Sequence, residues 1–326
     1  MSSLVEFAPA KINLSLHVLG RRADGLHDLE SLVVFADVGD ALTLDPGPGL
    51  ALAVDGETAA ASGPADDNLV LKAARTLADR VAGLRMGHFR LTKHLPVAAG
   101  LGGGSSDAAA ALRLLARSND LALADPRIGA AAWATGADCP VCLDPRPCFV
   151  GGAGERVERL ADMPALDLVL VNPRIAVATT DVFATLGLAP GGRLAGRAHP
   201  PMPRAGALSS EVATGSREED ATMQQSIAPI RFYRIGTRSS VSAPDLHALL
   251  VATRNDLADT SRALCPAVGD VERALAEAGA SLVRMSGSGA TVWGLATDAR
   301  HAERIAAEVA HCHPGWWVAA TRAGGA

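Results

Sequence analysis

A mixed α/β (α+β) chain in two lobes is the predicted architecture, and three observations carry that expectation. The first third is rich in short apolar and alternating runs, a glycine-rich loop stands between a strand pattern and a helix pattern, and the last third alternates helical and strand periodicity. At 326 residues, 48% of them hydrophobic, the chain can bury a core large enough for two lobes, placed here at 1–160 and 161–326.

The elements follow in order. Residues 11–19 alternate polar and apolar side chains and read as a strand, 29–38 form an apolar run, and 41–44 are expected to pair with 50–54 across a Pro/Gly turn. Asp67 and Asn68 can cap a helix over 69–81, with Leu69, Ala73, Leu77 and Val81 on one stripe. Residues 89–93 read as a strand leading into the glycine loop, and the alanine-rich stretch 108–117 as the helix after it. A further helix is expected over 125–135, stopped near Gly136, and a strand over Leu166–Asn172. Beyond residue 244 the pattern predicts helices at 245–252 and 267–278, strands at 281–285 and 291–296 around a Ser-Gly-Ser-Gly turn, a helix at 298–310 and a strand at 316–321. Between the halves, 190–244 carries Pro, Gly, Ser and Arg clusters with little periodicity. It reads as a long surface loop or flexible insert, with a short strand at 227–235 around Tyr233.

Composition excludes several classes of function. A net charge of −5 and a pI near 6.0 give no global reason to expect nucleic acid as a partner. The first nine residues lack a basic region followed by an apolar one, and no segment is long and apolar enough to span a bilayer, so neither secretion nor a membrane is expected. The cysteines Cys139, Cys142, Cys148, Cys265 and Cys312 are odd in number and scattered, which argues against a disulfide framework and for a cytoplasmic location. Cys139 and Cys142 form a CxxC without a second Cys/His pair at zinc spacing, so buried thiols are expected and no metal ligands.

The run Pro96, Val97, Ala98, Ala99, Gly100, Leu101, Gly102, Gly103, Gly104, Ser105, Ser106 reads as a phosphate-binding loop feeding a helix. Glycines let backbone N–H groups converge, and a helix N-terminus adds unsatisfied donors and a positive dipole end. The run lacks the Gly-Lys-Ser/Thr of a Walker A loop and the last glycine of a dinucleotide fingerprint. Its structural alternative is a packing turn with Ser105 or Ser106 as N-cap. Lys11 and Asn13 fall on one face of the first strand, with Ile12 and Leu14 toward the core; alone, Lys11 reads as an exposed edge lysine. Asp138 sits between Gly136 and Pro140, where a carboxylate could orient or deprotonate a hydroxyl or simply cap a turn.

Together, Pro9-Ala-Lys11-Ile-Asn13-Leu14, the run 96–106 and Met285-Ser-Gly-Ser-Gly-Ala-Thr291, in this order, resemble the GHMP kinase superfamily of small-molecule kinases. Within it, Arg22-Ala-Asp-Gly-Leu-His27-Asp28-Leu29, Gly136-Ala-Asp138 and Arg254-Asn-Asp-Leu257 are most similar to the branch that phosphorylates the 2-hydroxyl of 4-diphosphocytidyl-2-C-methyl-D-erythritol in the non-mevalonate route to isoprenoid precursors. The resemblance covers nearly the whole chain except 191–244. It implies an N-terminal ATP-binding lobe like domain 2 of ribosomal protein S5 and a ferredoxin-like C-terminal lobe.

It further implies ATP on the loop 96–106, Mg²⁺ held mostly by phosphate oxygens and water, Asp138 as general base and Lys11 as its catalytic partner. Asn13, Leu26, His27, Thr179 and Phe183 fall on the side of the small-molecule substrate, His27 at the cytosine edge and Phe183 on its face. The superfamily branch has Gly-Tyr-His where this chain has Gly25-Leu26-His27, so one aromatic face of the expected base sandwich is missing. A monomer or homodimer is expected. The alternatives are a homoserine- or mevalonate-type kinase, which gives no reason for Gly25-Leu-His-Asp28, and a non-catalytic nucleotide-binding regulator, which would be favoured by loss of Lys11 or Asp138.

Overall fold

Two long strands form the frame of the first half. In the computed structural model, which describes residues 2–194 and 243–325, β1 (Leu4–Arg21) and β2 (His27–Gly47) run antiparallel with several bulges. The alternation in β1 does not separate core from solvent: residues 8–18 are buried on both faces. Ala10, Ile12 and Leu14 pack with Leu168, Leu170 and Trp293, while Lys11 and Asn13 face a cleft from the other side.

The chain continues through β3 (Leu50–Asp55), α1 (Leu69–Ala78) and β4 (Met86–Thr92). The expected hairpin between 41–44 and 50–54 does not form. β4 takes that place, with Ala41 opposite Thr92 and Leu44 opposite Phe89, and β3 lies parallel on the far edge of β4. A parallel pair needs a crossover, and α1 provides it, burying Val70, Leu71, Ala73, Ala74 and Leu77. Asn68 caps α1 by accepting from the Val70 amide at 2.9 Å.

After the glycine loop come α2 (Gly103–Ser118), α3 (Pro126–Thr135, capped by Asp125), α4 (Cys139–Cys142), β5 (Cys148–Gly152) and β6 (Arg156–Arg159). Neither Ser105 nor Ser106 is the cap of α2. The helix starts earlier than its alanines suggest, and Gly102, at φ +61°, is the N-cap. Then follow β7 (Leu166–Asn172), α5 (Thr179–Thr185), α6 (Ala243–Ala252), α7 (Ala258–Leu264), α8 (Ala267–Glu277), β8 (Leu282–Met285), β9 (Val292–Leu295), α9 (Ala299–Cys312) and β10 (Trp317–Ala323).

One ten-stranded sheet runs β3-β4-β2-β10-β7-β9-β8, with β1 and the β5–β6 pair branching from β2. The order β10-β7-β9-β8 is that of a ferredoxin-like split β-α-β unit, and α8 and α9 bury Val271, Leu275, Ile305 and Val309 against it. Part of the expected insert is ordered: Gly191 donates to the Arg21 carbonyl at 2.8 Å, and α6 begins at Ala243. The rest of it, including the expected strand at 227–235, lies outside the described residues.

Candidate active site

The glycine loop is shaped by what holds its carbonyls. Ala98, Ala99, Gly100 and Leu101 accept in succession from the Val177 amide at 3.4 Å, the Thr291 amide at 3.1 Å, the Ser286 hydroxyl at 2.9 Å and the Lys11 amide at 2.8 Å. With its carbonyl side engaged by three separate segments, the loop runs into α2, whose first amides have no intrahelical acceptor. Two glycines are required by space as well as by backbone angle. A Cβ on Gly100 (φ +74°) would stand 2.3 Å from the Ser286 carbonyl, and one on Gly102 would stand 2.9 Å from Lys11 Cε.

Pro96, Val97, Ala98, Ala99, Gly100, Gly102, Gly103, Gly104 and Ser105 line a cleft of about 490 Å³ together with Lys11, Asn13, Asp138, Thr179 and Phe183. Leu101 and Ser106, from the same run, are buried behind the loop. Leu26 and His27 are not on the cleft wall.

At the centre of the cleft, Lys11 Nζ donates to Asn13 Oδ1 at 3.1 Å and lies 3.3 Å from Asp138 Oδ2. Asn13 Nδ2 donates to Ser31 Oγ at 2.7 Å, which fixes the amide's orientation. The backbone of β1 is pinned here from behind: Trp293 Nε1 donates to the Asn13 carbonyl at 3.2 Å, and Arg284 donates to that of Leu14 at 2.7 Å. Asp138 leads α4 and projects from its end, so strand and helix offer a buried cation and an accessible carboxylate to the same point.

Toward the other end, Thr179 Oγ1 and Ser288 Oγ lie 2.9 Å apart, joining α5 to the Ser-Gly-Ser-Gly turn. His27 and Phe183 stack on one another, with centroids 4.5 Å apart and planes inclined by 28°. Burial, and then the nearby Arg21 cation, hold the His27 imidazole below its ordinary value, so it is neutral at pH 7. Leu26 is 44% exposed at the tip of the same turn.

Sequence reasoning missed a buried ionic cluster beneath the loop. Lys93 binds the Asp40 carboxylate and donates to Asp107 Oδ2 at 2.8 Å, and Asp40 Oδ1 also accepts from the His94 and Leu95 amides at 2.6 and 2.9 Å. Burial works to lower the Lys93 ammonium, and Asp107 and Asp40 outweigh it. Burial pushes the Asp107 carboxyl up to about 7, against the pull of Lys93. Only Lys93 and Asp107 flank the glycine run; Asp40 is distant from it in sequence, and nothing local shows that the three are buried together.

The CxxC closes α4 as two buried thiols. Burial raises both, Cys139 to about 12, which removes thiolate chemistry near neutral pH. Among the described residues no three His, Cys, Asp or Glu side chains gather as a metal site, and no helix is long and apolar enough to cross a membrane.

Comparison with known proteins gives the family of the chain. The model of the GHMP kinase N-terminal domain matches residues 68–152, and that of the GHMP kinase C-terminal domain matches 243–314. A 4-diphosphocytidyl-2-C-methyl-D-erythritol kinase of Methylobacterium radiotolerans is 51% identical over 98% of this chain and 99% of its own length. A crystal structure of 4-(cytidine 5'-diphospho)-2C-methyl-D-erythritol kinase superposes with TM-score 0.67 at 25% identity, covering 99% of this chain and 100% of that one. Homoserine kinase from Cytophaga hutchinsonii shares the fold alone, with TM-score 0.62 at 17% identity over 100% of this chain and 95% of that one. Motifs, sheet order and full-length similarity converge, and the chain belongs to the GHMP kinases, in the family of the 4-diphosphocytidyl-2-C-methyl-D-erythritol kinases.

Proposed function

We propose that the 3.3 Å pairing of Lys11 with Asp138, beside a glycine loop whose carbonyls from Ala98 to Leu101 are engaged, is the catalytic centre of this kinase. The reaction transfers the γ-phosphoryl group of ATP to the 2-hydroxyl of 4-diphosphocytidyl-2-C-methyl-D-erythritol. The new bond joins the 2-oxygen to phosphorus, the bond from phosphorus to the β,γ-bridging oxygen breaks, and ADP leaves. Asp138 takes the hydroxyl proton, which its exposure lets it return to solvent. Lys11, held by Asn13, places positive charge where the transferring group gains negative charge. Backbone amides of the loop and the first turn of α2 hold the ATP phosphates.

The cleft suits ATP with Mg²⁺ bound through phosphate oxygens and water. Of the three carboxylates on its wall, Asp107 is tied to Lys93 and Asp138 to Lys11, and Asp67 by itself is not a protein cage for the ion. When bound, the ion neutralises phosphate charge. Asn13, Thr179 and Phe183 form the substrate side of the cleft, His27 joins it through its stack on Phe183, and Leu26 stands next to His27 outside the wall. For the cytosine to take its place there, the His27–Phe183 stack either opens or serves as one wall. A small-molecule partner and a reducing, cytoplasmic setting complete the reading.

Purified protein with Mg-ATP is expected to release ADP on addition of 4-diphosphocytidyl-2-C-methyl-D-erythritol and not on addition of homoserine or mevalonate. Equal turnover of all three would remove the substrate assignment.

A further inference from the structure

We propose that Asn255 is a positioning residue that sets the geometry of the glycine loop through the turn 286–289, and with it the enzyme's hold on the nucleotide phosphates. The proposal rests on the reading of that loop as the ATP phosphate site.

Asn255 lies between α6 and α7, in a segment laid along β1. The Leu16 amide donates to the Arg254 carbonyl at 2.9 Å, the Asp256 amide returns a bond to the Leu16 carbonyl at 2.8 Å, and the Val18 amide donates to Asp256 Oδ2 at 2.9 Å. The segment is therefore anchored on the strand that carries Lys11 and Asn13. From this base the buried Asn255 side chain reaches the turn: Nδ2 donates to the carbonyls of Met285 and Gly287, both at 2.8 Å, while Oδ1 accepts from the Leu257 amide at 2.9 Å. The bonding pattern needs two donors on one atom and an acceptor on its neighbour, which a carboxamide supplies. A carboxylate would set oxygen against two carbonyls.

The two carbonyls flank Ser286, and Ser286 is the link to the loop. Its hydroxyl donates to the Gly100 carbonyl at 2.9 Å and accepts from the Asn13 amide at 3.1 Å. Turn and loop also touch without slack. A Cβ on Gly287 would stand 2.9 Å from the Gly100 carbonyl oxygen, and one on Gly100 would stand 2.8 Å from the Gly289 nitrogen. A turn released from Asn255 cannot move without moving Gly100, because close-packed backbones transmit a displacement rather than absorb it. Asn255 acts on the phosphates only through this chain of contacts, so it is not a catalytic residue.

The test is calorimetric titration of ADP and of CDP into wild type, Asn255→Ser, Ser286→Ala and Gly100→Ala. Serine at 255 reaches neither carbonyl, and ADP affinity is expected to fall about tenfold or more, the scale of two lost buried hydrogen bonds, with CDP affinity within about twofold of wild type. The KM for ATP should rise by the same factor while that for the cytidine substrate holds. Unchanged ADP affinity in Asn255→Ser overturns the assignment, and so does a parallel loss of ADP and CDP, which marks a general defect of packing. Gly100→Ala separates the two claims: if it weakens ADP and Asn255→Ser does not, Asn255 alone loses its role. If Gly100→Ala leaves ADP binding intact, the loop is not the phosphate site and the assignment of Asn255 falls with it. Should Asn255→Ser fail to fold, Ser286→Ala cuts the same link at its other end and carries the same expectation and the same refutation.

Discussion

Lys11 and Asp138 meet at 3.3 Å from opposite environments: the lysine side chain is 7% exposed and the aspartate 51%. A buried cation is held in place by its surroundings, whereas an accessible carboxylate can exchange a proton with water. That asymmetry suits a fixed electrostatic partner and a mobile-proton base.

Asp138→Asn keeps the shape of the side chain and removes its basicity. Turnover should fall by about 10²–10⁴-fold, the usual contribution of general-base catalysis. ADP affinity by calorimetry should stay close to wild type, since the phosphate loop is intact. Turnover within a few-fold of wild type would take the base role from Asp138.

Leu26→Tyr restores an aromatic beside the stacked His27 and Phe183. A stacking gain of about 1 kcal/mol corresponds to roughly fivefold in affinity, so the KM for the cytidine substrate should drop by about that factor with the KM for ATP unchanged. No change in KM would mean that the His27–Phe183 pair already supplies the contact.

Asp107 makes stability depend on pH in a stated direction. Its carboxyl titrates near 7 in the folded chain and at the ordinary 3.8 when unfolded, so the folded state binds more protons between those values. Its contribution to stability is complete below about 3.8 and is lost as pH rises through 7. Asp107→Asn removes this titration and leaves Lys93 paired with Asp40. Urea midpoints at pH 5, 6, 7 and 8 should show the variant gaining on wild type as pH rises. A constant difference across that range would place the titration elsewhere.

Arg284 spends its guanidinium on carbonyls instead of on a carboxylate. It donates to Leu14, Leu250 and Thr253, each at 2.7 Å, and lies 5.6 Å from the centre of the Trp293 ring. Burial lowers it to about 10. Arg284→Met fills part of the volume and removes the guanidinium donors from those carbonyls, for a loss of about 3 kcal/mol in urea unfolding. Arg284→Lys should recover only part of it, because one ammonium cannot span the end of α6 and β1 together. Full recovery by lysine would show that charge, rather than the fork of donors, is what matters.

Local chemistry was legible wherever a feature is complete within a few residues. The apolar run Leu166–Asn172 is β7 to the residue, Asn68 caps the helix it precedes, and the helix expected over 125–135 is α3 with Asp125 as its cap, because caps and periodicity involve neighbours in sequence. The motif residues Lys11, Asn13 and Asp138 were nominated by resemblance, and the structure brings them to one point. Short α5 was not legible, since its seven residues are held by tertiary contacts such as that of Thr179 with Ser288.

The sequence by itself determined the mixed α/β class, the long helices, the strand–loop–helix order of the phosphate loop and the family. Tertiary structure alone decided that β4, not β3, sits against β2, that Ser286 holds Gly100, that Lys93 is buried between Asp40 and Asp107, and that His27 lies against Phe183. Strand neighbours and buried charge depend on which distant segments exclude water from one another. That is a property of the assembled chain, and periodicity, which reports only a residue's own segment, carries no record of it.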